Sequence, residues 1–189
     1  MEALILTWGL AYVLGAVPVG RFIAKLNSGE DIWEYRDGTS SFSNLFYVLG
    51  TEVALVKVVL DLLKGVAVGG MVHWQGYKGL FTTLTLLVMI LGYVKPLGKQ
   101  GKEGSGVIPG LGFLWYLFPQ LGGFSMAMFI AVLVLKRKLR PALTVGTVCL
   151  IIGSLWLGHD WVTISALLVS GTWLLSQGKS KLAFSRTFT

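Results

Sequence analysis

Long apolar segments with short polar segments between them account for most of this chain of 189 residues. A helix that crosses a membrane needs about 20 apolar residues, and seven segments approach that length. Several are shorter, so we expect some helices to be tilted or extended at their ends. The predicted spans are 3–26, 52–73, 79–94, 107–119, 122–136, 142–158 and 161–177. The sequence therefore predicts an all-α, polytopic membrane helix bundle, with residues 1–189 forming a single integral membrane domain.

The composition excludes a water-soluble globular protein, an intrinsically disordered chain and a disulfide-stabilised domain. Hydrophobic residues make up 54% of the chain, charged residues only 13%, and the mean hydropathy is +0.72. A soluble domain has about 25% charged residues, so this chain could neither cover a water-facing surface nor stay disordered. A single cysteine, Cys149, excludes a disulfide framework.

The basic residues predict the orientation. Thirteen of the sixteen lysines and arginines lie in residues 20–51, 95–106, 136–141 and the C-terminal tail, whereas the alternate loops contain only Lys78. Because cytoplasmic loops carry the excess of positive charge, we expect an external N-terminus and a cytoplasmic C-terminus. No basic face interleaved with stacking aromatic residues is present, so the net charge of +7 does not indicate nucleic-acid binding.

The first apolar run predicts a membrane helix rather than a cleavable signal peptide. It carries Glu2, lacks a basic leader, and has no small-residue cleavage site before the next polar segment. Pro18, with Gly15 and Gly20 beside it, predicts a kink in this helix.

The first cytoplasmic loop, residues 30–44, is rich in hydroxyl and carboxylate groups. Its hydroxyls and backbone amides could bind a polar head group, with candidate catalytic residues Thr39, Ser40, Ser43 and Asn44. The alternative is a solvated loop in which Ser43 or Asn44 caps the next helix.

The second loop, residues 98–106, combines glycines and lysines before an apolar run. Glycines let backbone N–H groups converge on an anion, and a following helix N-terminus adds its dipole. The predicted phosphate-binding residues are Lys99, Lys102, Gly104, Ser105 and Gly106. The alternative is a flexible basic loop attracted to anionic lipids.

Lys57, Asp61 and Lys64 lie inside the second predicted span, on one face of a helix. Charges at that depth face a bundle interior or a wet cavity, so they indicate either a functional site or a structural ion-pair network. His73 and His159 fall at predicted external helix ends, far from cytoplasmic loops. They lack the partners of a metal site, so we expect no metal.

The order of these features resembles the bacterial acyl-phosphate:glycerol-3-phosphate acyltransferases, the PlsY type, across nearly the whole chain. The matching stretches are 15–20 with 24–25 and 31–32, Asn44 with 49–50, 60–65, Gly92 with Pro96, Lys102, Gly104, 106–107 and 110–112. The resemblance implies a seven-helix fold in the bacterial inner membrane and no cofactor. It also implies transfer of a fatty acyl group from acyl phosphate to glycerol 3-phosphate, a step of phospholipid biosynthesis.

The residues that carry catalysis in that family are replaced in this chain. The first family motif is Gly-Ser-Gly-Asn-x-Gly-Ala-Thr-Asn-x-x-Arg, and it aligns with residues 36–47. Arg36 stands at its first Gly, Asp37 at its Ser, Thr39 at its Asn and Tyr47 at its Arg. In the second motif Tyr93 replaces a His, and residues 103–106 read Glu-Gly-Ser-Gly for Gly-Gly-Lys-Gly. The third motif, which contains a His and an Asn, has no match in the tail.

These departures leave three hypotheses. The first is a catalytically degenerate relative, a pseudoenzyme that binds membrane lipids or acts as an accessory subunit with other membrane proteins. The second is an active acyltransferase with a rebuilt site. The third is a small channel or transporter around Lys57, Asp61 and Lys64.

Overall fold

The computed structural model describes residues 2–36, 38–95, 104, 106–136, 139–156, 164–165 and 169. Within these residues the regular elements are eight α-helices and one short 3₁₀ helix, so the predicted all-α fold class is confirmed. The α-helices are α1 (Glu2–Ala16), α2 (Val19–Ser28), α3 (Phe42–Leu49), α4 (Thr51–Trp74), α5 (Leu80–Val94), α6 (Val107–Leu117), α7 (Pro119–Lys136) and α8 (Leu139–Trp156). The 3₁₀ helix, Ile32–Glu34, lies between α2 and α3.

The first predicted span is a broken helix, as the position of Pro18 predicts. α1 ends at Ala16, Pro18 takes the N-cap position of α2, and α2 continues to Ser28. Proline lacks an N–H and disfavours helical backbone in the residue before it, which accounts for the break. By length and composition, Glu2–Ser28 is the one stretch of the described residues that could cross a membrane as a long apolar helix.

The remaining helices begin and end within a few residues of the apolar segments read from the sequence. α4 has 24 residues and rises about 36 Å, enough to cross a bilayer even though it contains buried charges. The seventh predicted span, 161–177, lies outside the described residues except for Ile164, Ser165 and Val169. The short helix α3 lies in a segment that was predicted to be a loop.

Two helix pairs approach each other through reciprocal glycines. A Cβ on Gly65 of α4 would overlap the carbonyl oxygen of Pro109, and one on Gly112 of α6 would overlap that of Leu62. In the same way, Gly15 of α1 faces a backbone carbonyl of α5, and Gly92 of α5 faces one of α1. Small residues let backbones pack this closely in membrane proteins, where helix association depends on van der Waals contact.

The exposed surface of the helices is apolar. The core contains Val68, Leu86, Met89, Phe113 and Leu114, all fully or almost fully buried. Large apolar side chains on the outside of the bundle include Ile5, Leu6, Leu63, Val134, Ile152 and Leu155, each more than half exposed. A water-facing surface could not carry apolar residues at this density, whereas lipid tails cover them without cost.

Candidate active site

The loop from α2 to α3 is organised by the buried side chain of Asn44. Its Nδ2 lies within hydrogen-bond distance of the carbonyl oxygens of Ile32 (3.3 Å), Tyr35 (3.1 Å) and Thr39 (2.7 Å). Asn44 is 1% exposed, and its Oδ1 has no hydrogen-bond partner among the described residues. Asn44 therefore fixes the loop and presents a buried acceptor that a donor from a ligand would satisfy.

Ser41 caps α3, so the prediction that Ser43 or Asn44 is the cap is wrong. The Oγ of Ser41 accepts from the backbone N–H of Asn44 at 3.3 Å, and Ser41 has the extended backbone of an N-cap. An N-cap side chain binds an N–H two or three positions later, and here that N–H belongs to Asn44 itself. Ser43 lies exposed in the first turn.

The hydroxyl candidates of this loop have different surroundings. Ser40 is fully buried, and its Oγ accepts from the indole Nε1–H of Trp33 at 2.8 Å. A Cβ on Gly20 would overlap Ser40, so Ser40 joins the loop tightly to α2. Thr39 is half-buried, and its Oγ1 accepts from the N–H of Ser41 at 3.3 Å. Thr39 and Asn44 therefore lie together, whereas Ser40 is used in packing.

An ion pair anchors the start of the loop to α2. The Nε–H of Arg21 is shared between the two carboxylate oxygens of Asp31, with Nε 2.9 and 2.8 Å from them, and Nη2 donates a further hydrogen bond to the same carboxylate. The guanidinium carbon of Arg21 also lies 4.2 Å from the centroid of the Trp33 ring, and the backbone N–H of Trp33 donates to the carboxylate of Asp31. The hydrogen bond from Arg21 is the main cause that lowers the pKa of Asp31, and burial opposes it.

The three charged residues of α4 form one buried cluster with Tyr93 of α5. Lys57 donates to Asp61 and to the Tyr93 hydroxyl, which in turn donates to Asp61 at 2.6 Å. Lys64 lies 3.4 Å from the other carboxylate oxygen of Asp61. Lys57 and Asp61 are at most 1% exposed and Lys64 is 8% exposed. As predicted, the three charges share one helix face that points into the bundle.

This cluster also supplies a hydrogen-bond donor to the backbone at the break in the first span. Lys64 donates to the carbonyl oxygen of Val17 at 2.7 Å, directly before Pro18. A helix break exposes carbonyl groups that lipid cannot satisfy, so a buried ammonium is a fitting partner. The charge cluster therefore joins α4 to α5 and to the junction of α1 and α2.

The loop before α6 meets the loop before α3 at Tyr93. A Cβ added to Gly104 would lie 3.7 Å from the Tyr93 hydroxyl and 3.9 Å from the Cα of Ser41. We call Ser41, Asn44, Tyr93 and Gly104 the motif junction, because they come from the segments that align with the first and second family motifs. Gly106, with φ of 74°, follows two residues after Gly104 and occupies the N-cap position of α6. The predicted phosphate-binding residues Lys99, Lys102 and Ser105, and also Asp37 and Glu103, lie outside the described residues.

Two of the basic loops lie on the same side of the bundle. Gly104, just before α6, lies near Ser41, just before α3, whereas the Thr7 hydroxyl of α1 donates to the side-chain oxygen of Gln75 after α4 at 2.7 Å. The N-terminal half of α1 therefore lies next to the loop that joins α4 to α5. This arrangement agrees with the alternation of charged and uncharged loops in the sequence.

Comparison with known proteins places this chain in one class, the integral membrane acyltransferases. The chain matches the family described as glycerol-3-phosphate acyltransferase over residues 5–182, and it belongs to that family. The glycerol-3-phosphate acyltransferase of Staphylococcus haemolyticus is 31% identical over 170 residues, covering 85% of this chain and 84% of that protein. The enzyme of Listeria monocytogenes is 30% identical over 163 residues, covering 85% and 82%.

The fold matches a solved structure of the same family. The crystal structure of PlsY, an integral membrane glycerol 3-phosphate acyltransferase in its glycerol 3-phosphate form, aligns with a TM-score of 0.84. The two proteins are 24% identical, and the alignment covers 99% of this chain and 94% of PlsY. The predicted membrane helix bundle of the PlsY type is confirmed, and the chain is an integral membrane protein.

Two contacts of the site were not predicted from the sequence. The first joins Tyr93 to Lys57, which are 36 positions apart. The second places the guanidinium of Arg36 over the ring of Tyr47, with 4.2 Å between Cζ and the ring centroid. Each contact includes at least one position that departs from the family motifs. Those departures were the one feature of the sequence that could have indicated these contacts.

Proposed function

We propose that the protein is an active acyltransferase that moves a fatty acyl group from acyl phosphate to glycerol 3-phosphate at the motif junction. The observation that carries this proposal is the meeting of the loops that align with the first two family motifs, at Gly104, Ser41 and Tyr93. Family membership supports an active enzyme more than a silent relative, because the relatives it matches are named for this activity.

The reaction forms one C–O bond and breaks another. A hydroxyl oxygen of glycerol 3-phosphate attacks the acyl carbonyl carbon, and the bond from that carbon to the phosphate oxygen breaks. Inorganic phosphate leaves with the bonding electron pair, and the proton of the attacking hydroxyl passes to it. The products are lysophosphatidic acid and phosphate.

This chemistry places modest demands on side chains. Acyl phosphate is already an activated acyl donor, and a phosphate oxygen with a pKa near 6 can accept the proton. The protein must chiefly hold two anionic substrates in line and stabilise the charge, which can supply much of the rate enhancement. A site that has lost the Ser, Arg and His of the family motifs can meet these demands if it still binds phosphate.

The residues of the junction suit these tasks. Asn44 fixes the loop and offers a buried acceptor to a hydroxyl of the acceptor substrate. The N-terminus of α6 after Gly106 offers backbone N–H groups and a helix dipole to a phosphate. Lys99, Lys102 and Ser105 of the preceding loop are the candidates for the remaining phosphate contacts. The Tyr93 hydroxyl donates its hydrogen bond to Asp61, so we assign Tyr93 a positioning role.

The test is direct acyl transfer by the purified full chain in detergent micelles. Palmitoyl phosphate and radiolabelled glycerol 3-phosphate are supplied, and labelled lysophosphatidic acid is measured. We expect product from the wild type and a loss of at least about 100-fold in the Asn44→Ala variant. Asn27→Ala, an exposed asparagine of α2, is the matched control and should retain full activity. A wild type without product would overturn the proposal.

The second candidate function is a catalytically silent protein that binds lipid or another membrane subunit. The observation in its favour is Tyr47, which replaces the Arg of the first motif and is 69% exposed. Such a protein would co-purify with lysophosphatidic acid or with a subunit at fixed stoichiometry, which native mass spectrometry would detect. The channel hypothesis gains no support from the described residues, because Lys57 and Asp61 are buried and bonded to Tyr93.

We also propose that the motif junction faces the cytoplasm and that the N-terminus is external. The support is the positive-inside rule applied to the loops that meet at the junction. The test places single cysteines at Asn27 and Lys78, both exposed, in a Cys149→Ser background. In intact cells an impermeant maleimide should label Lys78→Cys and not Asn27→Cys. The reverse pattern would overturn this orientation.

A further inference from the structure

The side chain of Arg36 rests on an aromatic row at the surface of α3. Its guanidinium carbon lies 4.2 Å from the centroid of the Tyr47 ring. Tyr47 makes an edge contact with Phe46 at 5.6 Å, and Phe46 stacks with Phe42 at 5.9 Å. A guanidinium is held by an aromatic face through cation–π attraction and stacking, which leaves its N–H groups directed outward in the plane of the group.

The backbone at Arg36 is one that favours glycine. Its φ of 51° makes it the one non-glycine residue with a positive φ in the part of the chain that the structure describes. The left-handed region is disfavoured for a residue with a side chain, because its Cβ comes too close to the following carbonyl oxygen. The local backbone conformation therefore disfavours a side chain at this position. The contact of the Arg36 side chain with Tyr47 offsets this.

Two departures from the first family motif meet at this contact. Position 36 has Arg where the motif has Gly, and position 47 has Tyr where the motif has Arg. The guanidinium that α3 has lost is thus present on the loop, directly above the position that lost it. The exchange leaves one guanidinium beside position 47 while changing the element that carries it.

The motif junction holds Arg36 in this place. The Nδ2 of Asn44 donates to the carbonyl oxygen of Tyr35, the residue before Arg36, and Asn44 lies one helical turn from Tyr47. Among the residues that the structure describes, no carboxylate forms an ion pair with Arg36. An exposed guanidinium with a fixed position and five N–H donors is suited to bidentate binding of phosphate.

We propose that Arg36, supported by the ring of Tyr47, binds the phosphate group of a substrate in this protein. The inference rests on the proposed function for its class of substrate, a phosphate monoester or an acyl phosphate. On this proposal the Arg-to-Tyr change at position 47 is accompanied by a guanidinium supplied from position 36.

The test combines equilibrium binding with steady-state kinetics on the full chain in detergent. The variants are Arg36→Ala, Arg36→Lys and the double variant Arg36→Gly with Tyr47→Arg, which restores the family arrangement. Lys25→Ala, which removes an exposed cation from α2, is the control for net charge. Glycerol 3-phosphate binding is measured by equilibrium dialysis, and KM is determined separately for glycerol 3-phosphate and for palmitoyl phosphate.

We expect Arg36→Ala to weaken binding or raise one KM by about 10- to 100-fold, the factor for losing a charge-assisted hydrogen bond. Arg36→Lys should be intermediate, the double variant should recover most of the affinity, and Lys25→Ala should match the wild type. The substrate whose KM rises is the one whose phosphate Arg36 binds.

Failure of this inference is distinguishable from failure of the proposed function. If the wild type makes product and Arg36→Ala changes neither KM, the role of Arg36 is overturned and the enzyme stands. If the wild type makes no product but binds glycerol 3-phosphate through Arg36, the enzyme is overturned and the role of Arg36 stands. A wild type that neither turns over nor binds glycerol 3-phosphate overturns both.

Discussion

The hydroxyl of Tyr93 donates a hydrogen bond of 2.6 Å to the buried carboxylate of Asp61. This bond joins the second family motif on α5 to the charge cluster on α4, and Gly104 lies against the same hydroxyl. A polar residue at position 93 is therefore tied at once to the core of the bundle and to the loop that would bind phosphate. The cluster is therefore in contact with the motif junction as well as with the core of the fold.

Replacing Asp61 should destabilise the bundle strongly. In Asp61→Leu the ammonium groups of Lys57 and Lys64 stay buried after losing their carboxylate, which costs about 3–5 kcal/mol. The melting temperature in detergent should fall by many degrees, and Glu52→Gln, in the first turn of the same helix, should leave it unchanged. A double variant, Lys57→Met with Asp61→Leu, should recover part of the loss. Equal melting temperatures for wild type and Asp61→Leu would contradict a buried cluster.

Hydropathy and charge alone predict the helices, because apolar length and loop charge are properties of single segments. The break at Pro18 is predictable for the same reason, since proline acts on its own backbone. The burial of Lys57, Asp61 and Lys64 on one face follows from their spacing along α4. These features need no knowledge of which helix packs against which.

The partners of these residues could not be predicted, since they depend on tertiary contacts. Nothing in the spacing of Lys57 and Tyr93 places them together, and the carbonyl of Val17 needs Lys64 only because α4 passes the break. The helix α3 was missed because it has eight residues and lies in a polar segment. Its cap at Ser41, rather than Ser43 or Asn44, depends on how the buried Asn44 amide folds the loop back.

Asn44→Ala should release the loop between α2 and α3 while leaving the bundle folded. The variant loses the contacts to the carbonyl groups of Ile32, Tyr35 and Thr39, which then lack a buried donor. Limited proteolysis should cut residues 29–41 much faster in Asn44→Ala than in the wild type, with helix content by circular dichroism unchanged. The control Asn27→Ala should be cut at the wild-type rate. Equal protection of the loop in both variants would show that Asn44 does not hold it.

The ion pair between Arg21 and Asp31 should make stability fall in acid. Its hydrogen bond holds the pKa of Asp31 below the usual value of 3.8 in the folded protein. As the pH falls, Asp31 therefore takes up its proton at a higher pH in the unfolded chain than in the folded protein. The ion pair stabilises the folded protein fully above pH 3.8, and this stabilisation is lost as the pH falls through the lowered pKa of Asp31. The melting temperature of the wild type should exceed that of Asp31→Asn near pH 7, and the gap should narrow progressively as the pH is lowered below 3.8. A difference in melting temperature that stays constant with pH would show that the ion pair does not cause the loss of stability in acid. Glu30→Gln, at the residue before Asp31, is the control for removing one negative charge.

Gly65→Ala should separate α4 from α6, because the new Cβ would overlap the carbonyl oxygen of Pro109 and the backbone nitrogen of Phe113. Neither group is the end of a flexible side chain, so the helices must move apart at a cost of about 1–3 kcal/mol or more. Gly9→Ala is the matched control, since among the described residues no atom beyond the neighbouring backbone of α1 itself lies within 4 Å of the Cβ it adds. That change should be neutral or stabilise the helix by up to about 1 kcal/mol. Melting temperatures in detergent would decide between them. If both variants have the melting temperature of the wild type, backbone contact between α4 and α6 does not hold these two helices together. The position of Gly106 at the start of α6 would then not depend on that contact.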